Sequence, residues 1–272
     1  MEKTFPKNTF AKRMKTMLAV DIRRMFTTPF FYICLACCFL MPILILVMTA
    51  MMDGSVSVDP QTGKETIMEG FDNVWQIIGS VSSTEGSSGA GALDMGLTTM
   101  CNINLLYFLI SVLVCIFVAG DFRSGYAKNL FTVRAKKTDY VISKTLTCSL
   151  ASSVCVLAFI IGSIFGGAIS SLPFDMEGFN TVNLIMCFLS KLALVSVFVP
   201  IYLTMAIIAK NRSWLSICLS MMVGMFLFMM IPMLTPLNAT IANPVICLVG
   251  GALFSIGLGA IDNRILKKTA LV

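Results

Sequence analysis

Apolar residues run through this chain in six long blocks separated by polar connections. A helix rises about 1.5 Å per residue, so about 20 apolar residues cover the roughly 30 Å hydrocarbon core of a bilayer. Blocks of about that length occupy residues 30–52, 100–119, 146–169, 182–209, 214–234 and 244–261. The pattern predicts an all-α polytopic membrane protein with six transmembrane helices. Ahead of the first block, Phe10, Met14, Met17, Leu18, Ile22 and Met25 recur at steps of three and four. Lys12, Arg13, Lys15, Arg23 and Arg24 fall off that stripe. This is the signature of an amphipathic helix lying in the headgroup layer, with Thr9 placed to cap it and Pro29 to end it. Residues 1–29 therefore read as an N-terminal interfacial segment, 30–262 as the transmembrane domain and 263–272 as a tail.

The first connection, 53–99, is the longest. Residues 55–58 and 65–68 around Asp59-Pro60-Gln61-Thr62-Gly63-Lys64 predict a hairpin. Phe71, Val74, Trp75 and Ile78 predict a short amphipathic helix at the membrane interface. Residues 82–91 are almost all Ser and Gly, a flexible composition. Pro42, Pro200 and Pro232 fall inside three blocks and predict helix kinks. Small residues at four-residue spacing, Gly162 and Gly166 in the third block and Gly251, Ser255 and Gly259 in the sixth, predict close helix packing within the bundle, or between two subunits.

Charge gives the blocks an orientation. Of the 20 Lys and Arg residues, 18 lie before the first block, between the second and third, between the fourth and fifth, or after the sixth. The alternating connections hold nine carboxylates and the single Lys64. Basic residues stay on the cytoplasmic side during insertion, so both termini are expected inside. With 57% hydrophobic and 12% charged residues, the chain carries about half the charge usual in soluble domains.

The composition argues against most enzymatic chemistry. Histidine is absent, which removes the commonest general base and most zinc sites. No phosphate-binding loop of the G-x-x-x-x-G-K-[ST] form occurs, so no nucleotide hydrolysis or bound cofactor is expected of this chain. The ten cysteines fall in or beside apolar blocks, where a free thiol behaves as a small hydrophobe, and no metal site is expected. The Cys34-Leu-Ala-Cys37 spacing alone could serve a redox or metal pair. No carboxylate lies mid-block, which argues against an autonomous ion-coupled carrier. Lys191 is the one charge well inside a block; its stem either snorkels to the interface or faces a cavity. Met221, Met225, Met229 and Met233 recur at steps of four in the fifth block. With Lys191 they are candidate residues of a pathway for a greasy substrate, flexible thioethers being suited to varied cargo.

The most specific segment is the polar connection between the second and third blocks, 120–145. Phe122, Tyr126 and Leu130 are spaced as one helix face, with Arg123, Lys128, Arg134, Lys136 and Lys137 around them. Asp121-Phe122-Arg123-Ser124-Gly125, the hydrophobic middle Asn129-Leu130-Phe131, Lys137, and Lys144 seven residues later resemble the cytoplasmic motif of permease subunits of type-2 ATP-binding-cassette exporters. Aspartate replaces glutamate at 121, Tyr126 replaces threonine, and Arg134 stands where proline is usual.

The resemblance implies a coupling helix resting on a separate ATPase subunit, which would bind ATP and magnesium, and a second permease subunit completing one pathway. Its surface would comprise Asp121, Phe122, Arg123, Gly125, Tyr126, Lys128, Leu130, Arg134, Lys137 and Lys144. It further implies export of a peptide, lipid or antimicrobial compound across a bacterial plasma membrane, with antimicrobial-peptide resistance as one outcome and no nucleic-acid partner. Two other readings stand beside it: a non-transporting sensor or immunity protein that binds a peptide through the first outer loop, and a stand-alone channel or carrier.

Overall fold

The computed structural model describes residues 10–58, 65–67, 70–80, 101–132, 136–176, 178–210, 212–228 and 230–268. The 59–64 turn, the Ser/Gly tract 82–91, Arg134, Met229 and the tail from 269 lie outside the described residues. The fold is helical: α1 (Phe10–Thr27), α2 (Pro29–Met52), α3 (Asn104–Arg123), α4 (Tyr126–Thr132), α5 (Lys137–Ile169), α6 (Thr181–Ala209), α7 (Ser213–Phe228), α8 (Met230–Leu234) and α9 (Ala242–Lys268). A small antiparallel hairpin, β1 (Val56–Val58) with β2 (Glu65–Ile67), pairs Val56 with Ile67, where the turn composition places it.

Among the described residues, five helices (α2, α3, α5, α6 and α9) are long and apolar enough to cross a membrane, which marks a multi-pass membrane protein. The fifth apolar block is helical over its described residues. These lie in the 16-residue α7 and in α8, with Met229 between them outside the described residues. Pro232 lies within α8, whereas Pro42 and Pro200 sit inside continuous helices. α5 is longer than its apolar block, because residues 137–145 continue the helix past the apolar stretch.

Glycine sets the closest helix approaches. A Cβ at Gly162 would stand 2.2 Å from the Phe39 carbonyl oxygen, and one at Gly166 would stand 2.9 Å from Ile43 Cα, so α5 packs backbone to backbone on α2. A Cβ at Gly251 would meet Ser196 Oγ at 1.8 Å, so α9 closes directly on Ser196 of α6. These small residues serve packing inside one chain. Large apolar residues such as Leu44, Met48, Leu253 and Ile256 cover the outward faces of α2 and α9 and are exposed, as lipid contact requires.

The two ends of the bundle are built differently. At the end remote from α1, residues 70–80 fold inward around a 3₁₀ turn (Val74–Ile77). Asn73 Oδ1 accepts from the Trp75 and Gln76 amides, a local cap that starts the turn. Phe71, Val74, Trp75 and Ile78 are buried there, not spread along an interface as their amphipathic spacing predicts. Backbone hydrogen bonds lace the segment to Pro173, Ile103 and Leu237, and Gly167 makes room for Val74. Buried backbone must be paired in an apolar setting, and these bonds do it.

Gly162→Leu is expected to destabilise the detergent-solubilised protein by at least 1–3 kcal/mol, the usual cost of overpacking. Gly257→Leu, whose Cβ meets nothing within 4 Å, is expected to leave the thermal midpoint unchanged. Melting curves of the two variants check this, and equal shifts would contradict the packing assigned to Gly162.

Candidate functional site

At the other end, α1 does not simply rest on the bilayer. Its apolar stripe contains one carboxylate, Asp21, between Met17 and Met25 one turn away on either side. Asp21 is fully buried. Its Oδ1 stands 2.8 Å from Lys144 Nζ and its Oδ2 accepts from Ser143 Oγ at 2.6 Å. Lys144, also fully buried, reaches Asp121 Oδ2 at 2.6 Å. Arg24 Nη2 lies 2.8 Å from Asp121 Oδ1, and Tyr140 donates its hydroxyl to Asp121 Oδ2 at 3.0 Å. Two carboxylates from α1 and α3 and two cations from α1 and α5 thus share one enclosed volume, with no net charge.

Aromatic rings complete the enclosure. Lys144 Nζ sits 4.1 Å from the centre of the Phe117 ring, and the Arg24 guanidinium stacks 3.8 Å above Tyr126. Burial works against the charge on Arg24, but Asp121 beside it holds its pKa above the ordinary value. A second pair, Arg13 Nε to Asp139 Oδ2 at 3.2 Å, also ties α1 to α5.

This cluster explains where the motif residues lie. Asp121 and Lys144 are interior ion-pair partners rather than surface groups. The break between α3 and α4 falls at Ser124-Gly125, with Gly125 at φ +73°, a left-handed conformation that favours glycine. Phe122 therefore ends one helix while Tyr126 and Leu130 belong to the next, so the three do not line a single helix face. All three are half-buried, with Phe122 and Leu130 packed against the core and Tyr126 under Arg24. Lys137 donates to the Leu266 carbonyl at the end of α9, a favourable place for a cation. Arg123 and Lys128 are the exposed basic side chains of the motif between α3 and the end of α4.

The other candidates are not brought together. Lys191 is 1% exposed in the packed interior, which overturns the snorkelling alternative. Tyr107 donates to its backbone carbonyl at 3.0 Å, and among the described residues no carboxylate lies within 4 Å of its ammonium. Met221 and Met225 point outward on α7, opposite the buried Ser216, Ser220 and Gly224. The side chain of Met233, like Met229, is outside the described residues. Cys34 is buried and Cys37 exposed, so that pair does not share a site.

Comparison of the chain with protein-family models, curated proteins and solved structures finds no match in any of the three. The likeness to exporter permeases rests on the motif residues and the pattern of apolar blocks.

Asp21 was legible as a carboxylate interrupting an apolar stripe in an otherwise basic helix, although sequence reasoning passed over it. Lys144→Met is expected to cost about 3–5 kcal/mol by leaving two buried carboxylates to share the partly exposed Arg24, and Lys144→Met with Asp21→Asn and Asp121→Asn to recover most of it. Thermal unfolding of the single and triple variants checks this; equal losses would show that the cluster is not coupled.

Proposed function

We propose that this chain is the permease subunit of an exporter driven by a separate ATPase. In this reading six spans, with α7 and α8 together as the fifth, place both termini in the cytoplasm of a bacterial cell, and a second permease subunit, identical or homologous, completes the pathway. The cargo is an amphipathic or hydrophobic compound such as a peptide, a lipid or an antimicrobial.

One observation carries the proposal. The exposed segment that bears Arg123 and Lys128 is anchored on both sides by buried ions, Asp121 before it and Lys144 after it, and the same ions hold α1. A push delivered at α4 would reach α1, α3 and α5 together. A stand-alone carrier has no use for such a lever, and a mid-membrane carboxylate to couple an ion gradient is absent from the sequence. ATP and magnesium would be bound by the partner, and this chain supplies the surface on which the partner acts.

Arg123→Glu with Lys128→Glu is expected to abolish co-purification of the ATPase in mild detergent, while membrane insertion and the thermal midpoint stay unchanged. Undiminished association would remove the docking role of α4. Failure of the unaltered chain to bring down any ATPase would remove the exporter reading itself.

A further inference from the structure

A cavity of about 220 Å³ opens beside the ion cluster. Its walls come from the end of α1 (Arg24, Met25), the first turn of α2 (Phe30, Phe31) and the second half of α3 (Leu113, Ile116, Phe117, Gly120), with Thr28 and Ser124 at its edge. The wall is almost wholly apolar, and a cavity of this kind stays dry and takes apolar ligands. Pro29 is where the chain turns from the interfacial helix into the first span, so the cavity lies at the depth where headgroups meet acyl chains.

The rim has the opposite character. Arg24, 34% exposed, contributes a guanidinium, and its Nη1 is buried without a hydrogen-bond partner among the described residues, 3.9 Å from Asp21 Oδ1. Exposed Arg23 and Arg123 flank Arg24 and Ser124 in sequence. Asp21 and Asp121 are balanced by Arg24 and Lys144, so Arg23 and Arg123 give the chain next to the cavity a net positive charge. Gly120 matters here: a Cβ added to it would meet nothing within 4 Å, and glycine in a helix interior costs about 0.5–1 kcal/mol relative to alanine. The space it leaves is part of the cavity.

We propose that this cavity binds an anionic phospholipid from the leaflet on which α1 lies, with one acyl chain between α2 and α3 and the phosphate at the arginine rim. An apolar throat with a basic mouth at headgroup depth complements that molecule in both shape and charge. The inference stands apart from the ATPase reading, since it needs no partner subunit. Because Arg24 belongs to both the rim and the ion cluster, lipid occupancy bears directly on the joint between α1 and α3.

The test uses the full chain in phosphatidylcholine vesicles doped with a phosphatidylglycerol probe carrying a photoactivatable group on one acyl chain, or with the matching phosphatidylcholine probe. Crosslinked peptides are read by mass spectrometry, with the lipid-facing peptide containing Leu253 and Ile256 as internal reference. The phosphatidylglycerol probe is expected to label peptides 30–31 and 113–117 several-fold over the phosphatidylcholine probe. Unlabelled phosphatidylglycerol should compete and inorganic phosphate should not. Gly120→Leu, whose Cβ meets nothing within 4 Å and whose branch would occupy the cavity, should reduce that labelling to the reference level. Arg23→Gln with Arg123→Gln, both at exposed positions, should remove the preference for phosphatidylglycerol while leaving phosphatidylcholine labelling unchanged. Equal labelling by the two probes, competition by free phosphate, or full labelling of a folded Gly120→Leu protein would each overturn the proposal; should Gly120→Leu not fold, the arginine pair decides.

Discussion

Four charged side chains packed against one another, three of them fully buried, set the architecture of the α1 end of this protein. Asp21, Arg24, Asp121 and Lys144 come from three helices, and each would cost several kcal/mol to desolvate alone. Together they cancel, and Ser143 and Tyr140 satisfy further lone pairs on the two carboxylates. Such a cluster has little tolerance for displacement. If α1 slid by one turn, Asp21 would leave Lys144 facing only Asp121, and an uncompensated carboxylate would enter an apolar layer. The register of α1 on α3 and α5 is therefore fixed by charge balance, where the methionine-rich stripe alone would tolerate sliding.

The remote end obeys a different rule. There the chain is held by apolar packing and backbone hydrogen bonds around residues 70–80, with Val74 seated over Gly167 and the Trp75 indole donating to the Phe174 carbonyl at 3.3 Å. Non-helical backbone is tolerated next to spanning helices only where its polar groups are paired, and the bonds to Pro173, Ile103 and Leu237 meet that condition. A directional ion cluster at one end and an apolar, backbone-bonded plug at the other thus hold the two ends of the bundle by different forces.

How much of this could be read from the sequence follows from the range of each interaction. Five spans and α1 were legible because hydropathy over about 20 residues and a three-four stripe are local signals, and α5 and α6 end where their apolar blocks end. The 3₁₀ turn was legible as a short element, but Phe71, Val74, Trp75 and Ile78 have the same spacing whether they face lipid or the bundle core. Asp121 and Lys144 stood out through their motif, yet their mates are separated from them by about a hundred residues and met only on folding. The stripe Phe122–Tyr126–Leu130 assumed one continuous helix, and Gly125 at positive φ ends that helix between its first and second members.

Within this frame α7 meets its neighbours through small side chains. In a bilayer, outward apolar faces gain nothing by leaving lipid, so helix association rests on close packing and a few polar bonds. α7 offers its neighbours Ser216, Ser220 and Gly224, small groups, with Ser220 Oγ 3.0 Å from Cys115 Sγ. It turns Trp214, Met222, Met225 and Phe226 outward. By contrast, α2 and α5 meet backbone to backbone at Gly162, and Gly251 of α9 closes directly on Ser196 of α6. Beside these two close contacts, a movement of α7 would run past Tyr202 and Phe108, the side chains nearest Gly224. The flexible thioethers of Met222 and Met225 would follow such a movement at little cost in packing, and the charge cluster, at the far side of α3 and α5, would not have to break for it.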